Sequence, residues 1–261
     1  MRVLMVGDVV GRPGRCILRD LLSRLKENYR IDFTIVNAEN AAGGTGLTRK
    51  VAAELFEYGA DILTMGNHIW DNKDIFNFIQ QEKRILRPAN YPPDCPGVGS
   101  GIFWAGDVPV GVINLSGRVF LPNLDCPFRA AEREVDLLRK TTSNIFVDFH
   151  AEATSEKVAM GWFLDGKVSA VFGTHTHVQT ADERILPEST AYITDVGMTG
   201  PYNSVIGVKK ELVIKKFITQ MPVRFEVAGE LMGQLNAVVV EIEPATGSAV
   251  KIQRILDYHE I

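Results

Sequence analysis

Cysteine is scarce in this chain: Cys16, Cys95 and Cys126 are the only three among 261 residues, an odd number set far apart. They supply neither a disulfide framework nor a thiolate cluster for a structural metal, and they fit a reducing compartment. Long apolar runs are missing too, since none approaches the ~20 residues that span a bilayer. The opening MRVLMVGDVV carries an Asp within a short apolar stretch and lacks a signal-peptide cleavage pattern. A cytoplasmic protein with no membrane partner is therefore expected. Positive charge is not in surplus: 28 Lys and Arg face 32 Asp and Glu, for a formal net charge of -4. That balance argues against an extended nucleic-acid surface.

What is present is an ordinary globular composition, 46% apolar and 23% charged, enough to bury one large core. No internal repeat, low-complexity tract or linker-like shift divides the chain, so one domain over residues 1–261 is expected. Short β-branched runs alternate with amphipathic segments. RVLMVG, DFTIVNA, DILTM, VGVINL, IFVDF, VSAVF and AYITDV read as strands buried on both faces. RCILRDLLSRLKEN, TRKVAAELFEYG and FRAAEREVDLLRK repeat apolar residues at three and four, as helices covering a sheet do. KKELVIKK, Lys209 to Lys216, reads as a solvated helix face. The last stretch, QLNAVVVEIEPATGSAVKIQRIL, reads as an antiparallel hairpin, and Arg87 to Gly101 as a loop. The class is α/β.

Open α/β sheets bind ligands beyond the carboxyl ends of their strands. After the first run comes Asp8, after the second Glu39-Asn40, after the third Asn67-His68, after IFVDF His150, and after VSAVF His175 and His177. Four of the chain's five histidines thus fall at strand ends, with His259 left at the tail. Singly, each has a plain structural alternative. Asp8 would cap a helix, Glu39 and Asn40 would be turn residues, Asn67 a left-handed turn residue, and His150 a core histidine. His68 would merely pack at the start of a helix over IWDNKDIF. Jointly they form a donor set of carboxylates, carboxamides and imidazoles, suited to Mn²⁺, Fe or Zn²⁺ and too large for one catalytic ion with open positions. Two ions sharing a carboxylate fit better. Such a pair acidifies a bridging water and stabilises the attacking and leaving oxygens of a displacement at phosphorus.

GD at Gly7-Asp8, GNH at Gly66 to His68, a lone His150 after a strand, and GTHTH at Gly173 to His177 resemble, in order, the motifs of calcineurin-like metallophosphoesterases. VGDVVGRPGR, NAENAAGGTGLT, TMGNHIWDN, DFHAEATSEK and GTHTHVQTADE resemble the YmdB-like bacterial branch more closely, from the first residues past Gly200. The superfamily's usual Asp-x-His is here Asp8-Val9-Val10, and its bridging Asp is here Glu39, changes that the YmdB-like branch shares.

The resemblance implies a four-layer αββα sandwich of two mixed sheets flanked by helices. It implies that Asp8, Glu39, Asn40 and His177 hold one ion and Glu39, Asn67, His150 and His175 the other. His68 is then not a ligand but lies over the substrate, binding phosphate or protonating the leaving oxygen. The implied activity is a dinuclear phosphodiesterase acting on a small-molecule substrate, a 2′,3′-cyclic nucleotide. A phosphomonoesterase, or a metal-dependent nucleotide sensor with little turnover, is the alternative. Backbone amides of the glycine-rich AAGGTGLT can approach a phosphate, with Thr48 capping the next helix. DVGMTGP, Asp195 to Pro201, is expected to wall the pocket, with Asp195 structural. Assembly into a homo-oligomer is left open.

Overall fold

Alternation along the strands sets the architecture, as a computed structural model describing every residue except Glu230 makes visible. The chain begins β1 (Arg2–Val6), β2 (Asp8–Val9), α1 (Gly11–Tyr29), β3 (Phe33–Asn37), α2 (Arg49–Glu57), β4 (Ile62–Thr64) and β5 (Ile85–Leu86). Next come β6 (Ser100–Ala105), β7 (Val108–Ser116), α3 (Pro127–Leu138), β8 (Ile145–His150), α4 (Thr154–Leu164) and β9 (Ala170–Thr174). It closes with β10 (Arg184–Ile185), β11 (Ala191–Ile193), β12 (Met198–Pro201), α5 (Lys210–Thr219), β13 (Met232–Ile242) and β14 (Ala249–Glu260).

Two mixed sheets result. One has eight strands on the path β2-β12-β13-β1-β3-β4-β5, with β14 on β13; the other has six, in the order β10-β11-β9-β8-β7-β6. Successive side chains of a strand point to opposite faces. Leu4 and Val6 therefore pack with Ile17, Leu18, Leu22 and Leu25 of α1, while Val3 and Met5 face the other sheet beside Phe146 and Phe172. On β8, Ile145, Val147 and Phe149 point outward onto α3 and α4 with Val135, Leu138 and Met160. The layers are helix, sheet, sheet, helix, as the resemblance implies.

Most of the expected strands and helices form, and two details differ. The segment over IWDNKDIF is not a helix from its start. Asn72 takes the Asp74 amide and so begins only a short 3-10 turn, Lys73–Asn77. The closing hairpin forms as expected, and it is built into the first sheet: β14 pairs along one edge of β13, while β1 and β12 share the other. Finally, α4 was absent from the periodicity. Its buried residues Lys157, Met160, Gly161 and Leu164 include a lysine and a glycine, which blurs an apolar stripe.

Parallel pairing of β1, β3 and β4 in one sheet, and of β7, β8 and β9 in the other, brings their carboxyl ends to the site. Asp148 points inward like Phe146, two residues along β8, and joins the sheets there. Its Oδ2 accepts from Asn37 Nδ2 (3.0 Å) and Thr64 Oγ1 (2.5 Å) of the first sheet, and its Oδ1 from Thr174 Oγ1 (2.7 Å) of the second.

Gly7 makes the other junction. A Cβ there would collide with the carbonyl oxygen of Gly197, a backbone atom that cannot step aside. Gly7→Ala is expected to destabilise the protein by about 3 kcal/mol or more, roughly 6–12 °C in Tm. Gly106, at φ +59° with nothing within 4 Å of its added Cβ, is the control: its Ala variant should lose only about 1–2 kcal/mol, the strain of the left-handed region. Thermal melts of both check this, and equal losses would contradict it.

Candidate metal centre

Asp8 starts β2, where its amide donates to Gly197 O (3.0 Å), and its side chain is fully buried. It does not cap α1, whose N-cap is Val10 with no side-chain bond. Oδ2 accepts from the His175 amide (3.3 Å), and Oδ1 has no hydrogen-bond partner among the described residues. An orphaned, buried carboxylate oxygen is costly unless a cation meets it. Glu39, 1% exposed, donates its amide to Asn37 Oδ1 (3.2 Å) at the end of β3, which turns the chain back toward β8. Asn40 Nδ2 donates to Gly44 O (2.9 Å), so its Oδ1 faces His177 Nε2, 3.3 Å away.

The three site imidazoles share one design. His150 Nδ1 lies 2.9 Å from Thr174 Oγ1, whose own proton goes to Asp148, so the ring donates from Nδ1. His175 Nε2 faces Glu152 Oε2 at 3.0 Å, and His177 Nδ1 faces the Ile206 carbonyl oxygen at 2.8 Å. Each ring is thus held at an outer nitrogen by an acceptor, leaving the inner nitrogen as a lone pair, as metal-binding histidines are held. The inner atoms converge. His150 Nε2 stands 2.9 Å from His175 Nδ1, 3.0 Å from Glu39 Oε1 and 3.2 Å from Asn67 Oδ1. One nitrogen cannot satisfy three such neighbours with one proton, and two facing lone pairs repel. Glu39, His150 and His175 form a group able to hold a metal ion, with ligand atoms all within 4.8 Å of one another. Gly66 lets the chain pass, for a Cβ there would collide with Glu39 Oε2 and His150 Nε2.

Electrostatics agrees. Burial opposes charge on His150, yet the Glu39 and Asp8 carboxylates overcome it and raise its pKa to about 9. Burial, and then the charge of His150, push His175 down to about 3. Against its own burial, Glu39 is held down to about 2 by His150. Burial lifts Asp8 to about 6, opposed by His177 and His150. Without a cation, the carboxylates recruit a proton onto His150.

The turn carrying two of these rings is strained. His175 has φ 101° and His177 φ 65°, conformations that L-residues rarely adopt and that persist only where the surroundings over-determine them. Asp195 does so: its Oδ2 accepts from the Thr176 amide (3.1 Å), Thr176 Oγ1 (2.7 Å) and buried Lys157 Nζ (2.6 Å). Asp195 is thereby structural, and it braces the site from below.

His68 differs. Its backbone amide donates to Glu39 Oε2 (3.3 Å), but among the described residues no hydrogen bond joins its ring to the donor atoms above. Its Nδ1 instead pairs with Asp71 Oδ2 at 2.7 Å, and the ring is one-third exposed. Thr48 caps α2 through Val51 N, and Gly43, Gly44 and Gly46 all take positive φ in the loop before it. His259 sits away on Asp20. Of the eight sequence-selected residues, Glu39, Asn67, His150 and His175 meet through their donor atoms, Asn40 and His177 form a second pair, Asp8 holds the His175 amide, and the His68 ring stands apart. The outer acceptors Thr174, Glu152 and Asp148, the brace of Lys157, and the His68 partner Asp71 were missed. Asp148 had left a signal, a carboxylate at even spacing before His150 in a buried strand.

Among known proteins, the model of the YmdB-like family matches residues 4–255. A Bacillus subtilis (strain 168) protein named 2′,3′-cyclic-nucleotide 2′-phosphodiesterase is 55% identical over 256 residues, covering 98% of this chain and 97% of its own. A crystal structure of a hypothetical protein from Thermus thermophilus superposes with TM-score 0.93 at 40% identity, over 99% of this chain and 100% of its own. A novel phosphatase from Mycoplasma pneumoniae does so with TM-score 0.93 at 38% identity, over 100% and 94%. Nearly end-to-end agreement in sequence and in backbone has one meaning: the chain belongs to the YmdB-like family.

Proposed function

We propose that this chain is a dinuclear, metal-dependent phosphodiesterase that hydrolyses 2′,3′-cyclic nucleotides. The observation that carries the reading is the set of three imidazoles, each pinned outside and turned inward, two of them beside buried Glu39 and the third facing Asn40. The activity named for the Bacillus subtilis relative supports the substrate class. Asp8, Glu39, Asn40 and His177 would hold one ion and Glu39, Asn67, His150 and His175 the other, with Fe or Mn²⁺ favoured by the mixed nitrogen and oxygen donors. When bound, the pair supplies Lewis acidity toward the phosphoryl oxygens and a water of lowered pKa.

The chain's own residues do the rest. Buried Asp8 and Glu39 fix the charge of the site. Asn40 and Asn67 present neutral oxygens, so the donor set does not accumulate enough negative charge to repel a phosphodiester. His68, with Nδ1–H occupied by Asp71, keeps Nε2 for the substrate; as an imidazolium it would hand its Nε2 proton to the leaving oxygen as the ring opens and be left neutral. The three cysteines, all free thiols, fit work in the cytoplasm.

His68→Ala should retain both ions and the fold. Its kcat on 2′,3′-cyclic AMP should fall by roughly 10²–10⁴, and by less on an aryl diester whose leaving group needs no proton. Metal content and kcat measured together decide: a metal-replete variant of near wild-type activity removes His68 from the mechanism, and a metal-depleted one makes it a ligand. Wild-type turnover of phosphomonoesters faster than of cyclic nucleotides, at matched metal loading, would replace diesterase by monoesterase.

The outer acceptors give a second prediction. Thr174→Val keeps the side-chain shape but removes the acceptor that fixes His150, so Mn²⁺ affinity should drop by roughly 10–100-fold with the melting curve little changed in cooperativity. Unaltered affinity by calorimetric titration would show that Thr174 does not orient His150.

A further inference from the structure

The loop after β7 starts at the metal centre and spends conformational energy on a residue left almost bare to solvent. Gly117 donates its amide to the carbonyl oxygen of His150 (2.9 Å), so the loop departs from the edge where the donors converge. Both of its ends are clamped by buried Asn90. Asn90 Nδ2 donates to Ser116 O (2.8 Å) and Asp125 O (3.0 Å), and its Oδ1 accepts from Ser116 N (2.9 Å). The Arg118 and Val119 amides are held by Glu156 on α4. This is a closed surface loop with a fixed base, the kind that carries function.

At its tip stands Phe120, with φ 62° and 88% exposed. The left-handed region suits Gly or Asn, and for a bulky aromatic it is an outlier. Exposure of a phenyl ring is likewise unfavourable. Neither cost is repaid by packing within the chain, and strain kept without a packing reward points to function. Phe120 is three residues from Gly117, no more than about 11 Å of chain. A phosphate bound at the metal centre would leave the remainder of its nucleotide to extend outward, within reach of this rim.

We propose that Phe120 is the nucleobase-stacking residue of the substrate site: its ring lies against the planar base while the cyclic phosphate occupies the metal centre. The inference rests on the cyclic-nucleotide reading above and adds what holds the base. Stacking on a π-face is tolerant of base identity, so the subsite would admit purine and pyrimidine substrates alike.

The test compares wild type, Phe120→Ala and Phe120→Trp on 2′,3′-cyclic AMP and on ethylene phosphate, a five-membered cyclic diester without sugar or base. Phe120→Ala should raise KM for cyclic AMP roughly 10–100-fold, with kcat within about twofold, and leave ethylene phosphate kinetics unchanged. Phe120→Trp should restore KM, and its added indole fluorescence should be quenched by 2′,3′-cyclic AMP. Equal effects on both substrates, or none on cyclic AMP, would overturn the assignment. If wild type turns over neither ester, the proposed reaction is wrong, and the quench still decides stacking: adenine quenching the new indole upholds the subsite, and its absence removes it.

Discussion

Two carboxylates buried within a few ångströms of facing imidazole lone pairs are the constraint on which the rest of this protein depends. Asp8 and Glu39 are 0% and 1% exposed, and Asp8 Oδ1 makes no hydrogen bond among the described residues, with His150 Nδ1 3.7 Å away. An ionised group withdrawn from water is tolerated only when a cation or several donors replace the lost hydration. Here the replacement within the chain is a proton on His150, bound so firmly that its pKa reaches about 9. Charge of that kind at the meeting of two sheets favours compactness only once a positive partner is installed. The site is therefore built to receive cations, and folding stability and metal binding are coupled through it.

Everything around these carboxylates keeps the inner nitrogens aimed at one another and at Glu39 and Asn40. Thr174 with Asp148, Glu152, and the Ile206 carbonyl each take one imidazole N–H. The buried Lys157–Asp195 pair holds the Thr176 backbone, so that His175 and His177 stay in conformations they would otherwise leave. Asp148 also ties β3 and β4 to β8 and β9. One polar residue thus serves sheet-to-sheet packing and ligand orientation at once. His68 stands outside this system of pins, its ring held among the described residues by Asp71, which suits the proton-donor role proposed for it.

The donors were legible in the sequence because strand ends are legible. A continuous apolar run followed by a polar residue marks the carboxyl edge of a sheet, and Asp8, Glu39, Asn67, His150, His175 and His177 all stand there. The supporting residues were not. Glu152 and Thr174 carry no distinguishing pattern, and a lysine such as Lys157, buried on α4, carries no mark in residue type that sets it apart from a surface one. Strands of two to four residues such as β2, β5, β10 and β12 are too short for period-two alternation to register. Nothing in residue type marks Phe120, since neither its positive φ nor its exposure is written there.

The most direct test of the central claim is an anomalous difference map from crystals of the protein grown with Mn²⁺ and recorded above and below the metal edge. Two peaks about 3.5–4 Å apart are expected, the usual separation in two-metal sites. One should touch Asp8, Asn40 and His177, the other Asn67, His150 and His175, with Glu39 between them. A single peak at full occupancy, two peaks not bridged by Glu39, or a peak coordinated by His68 would contradict the account.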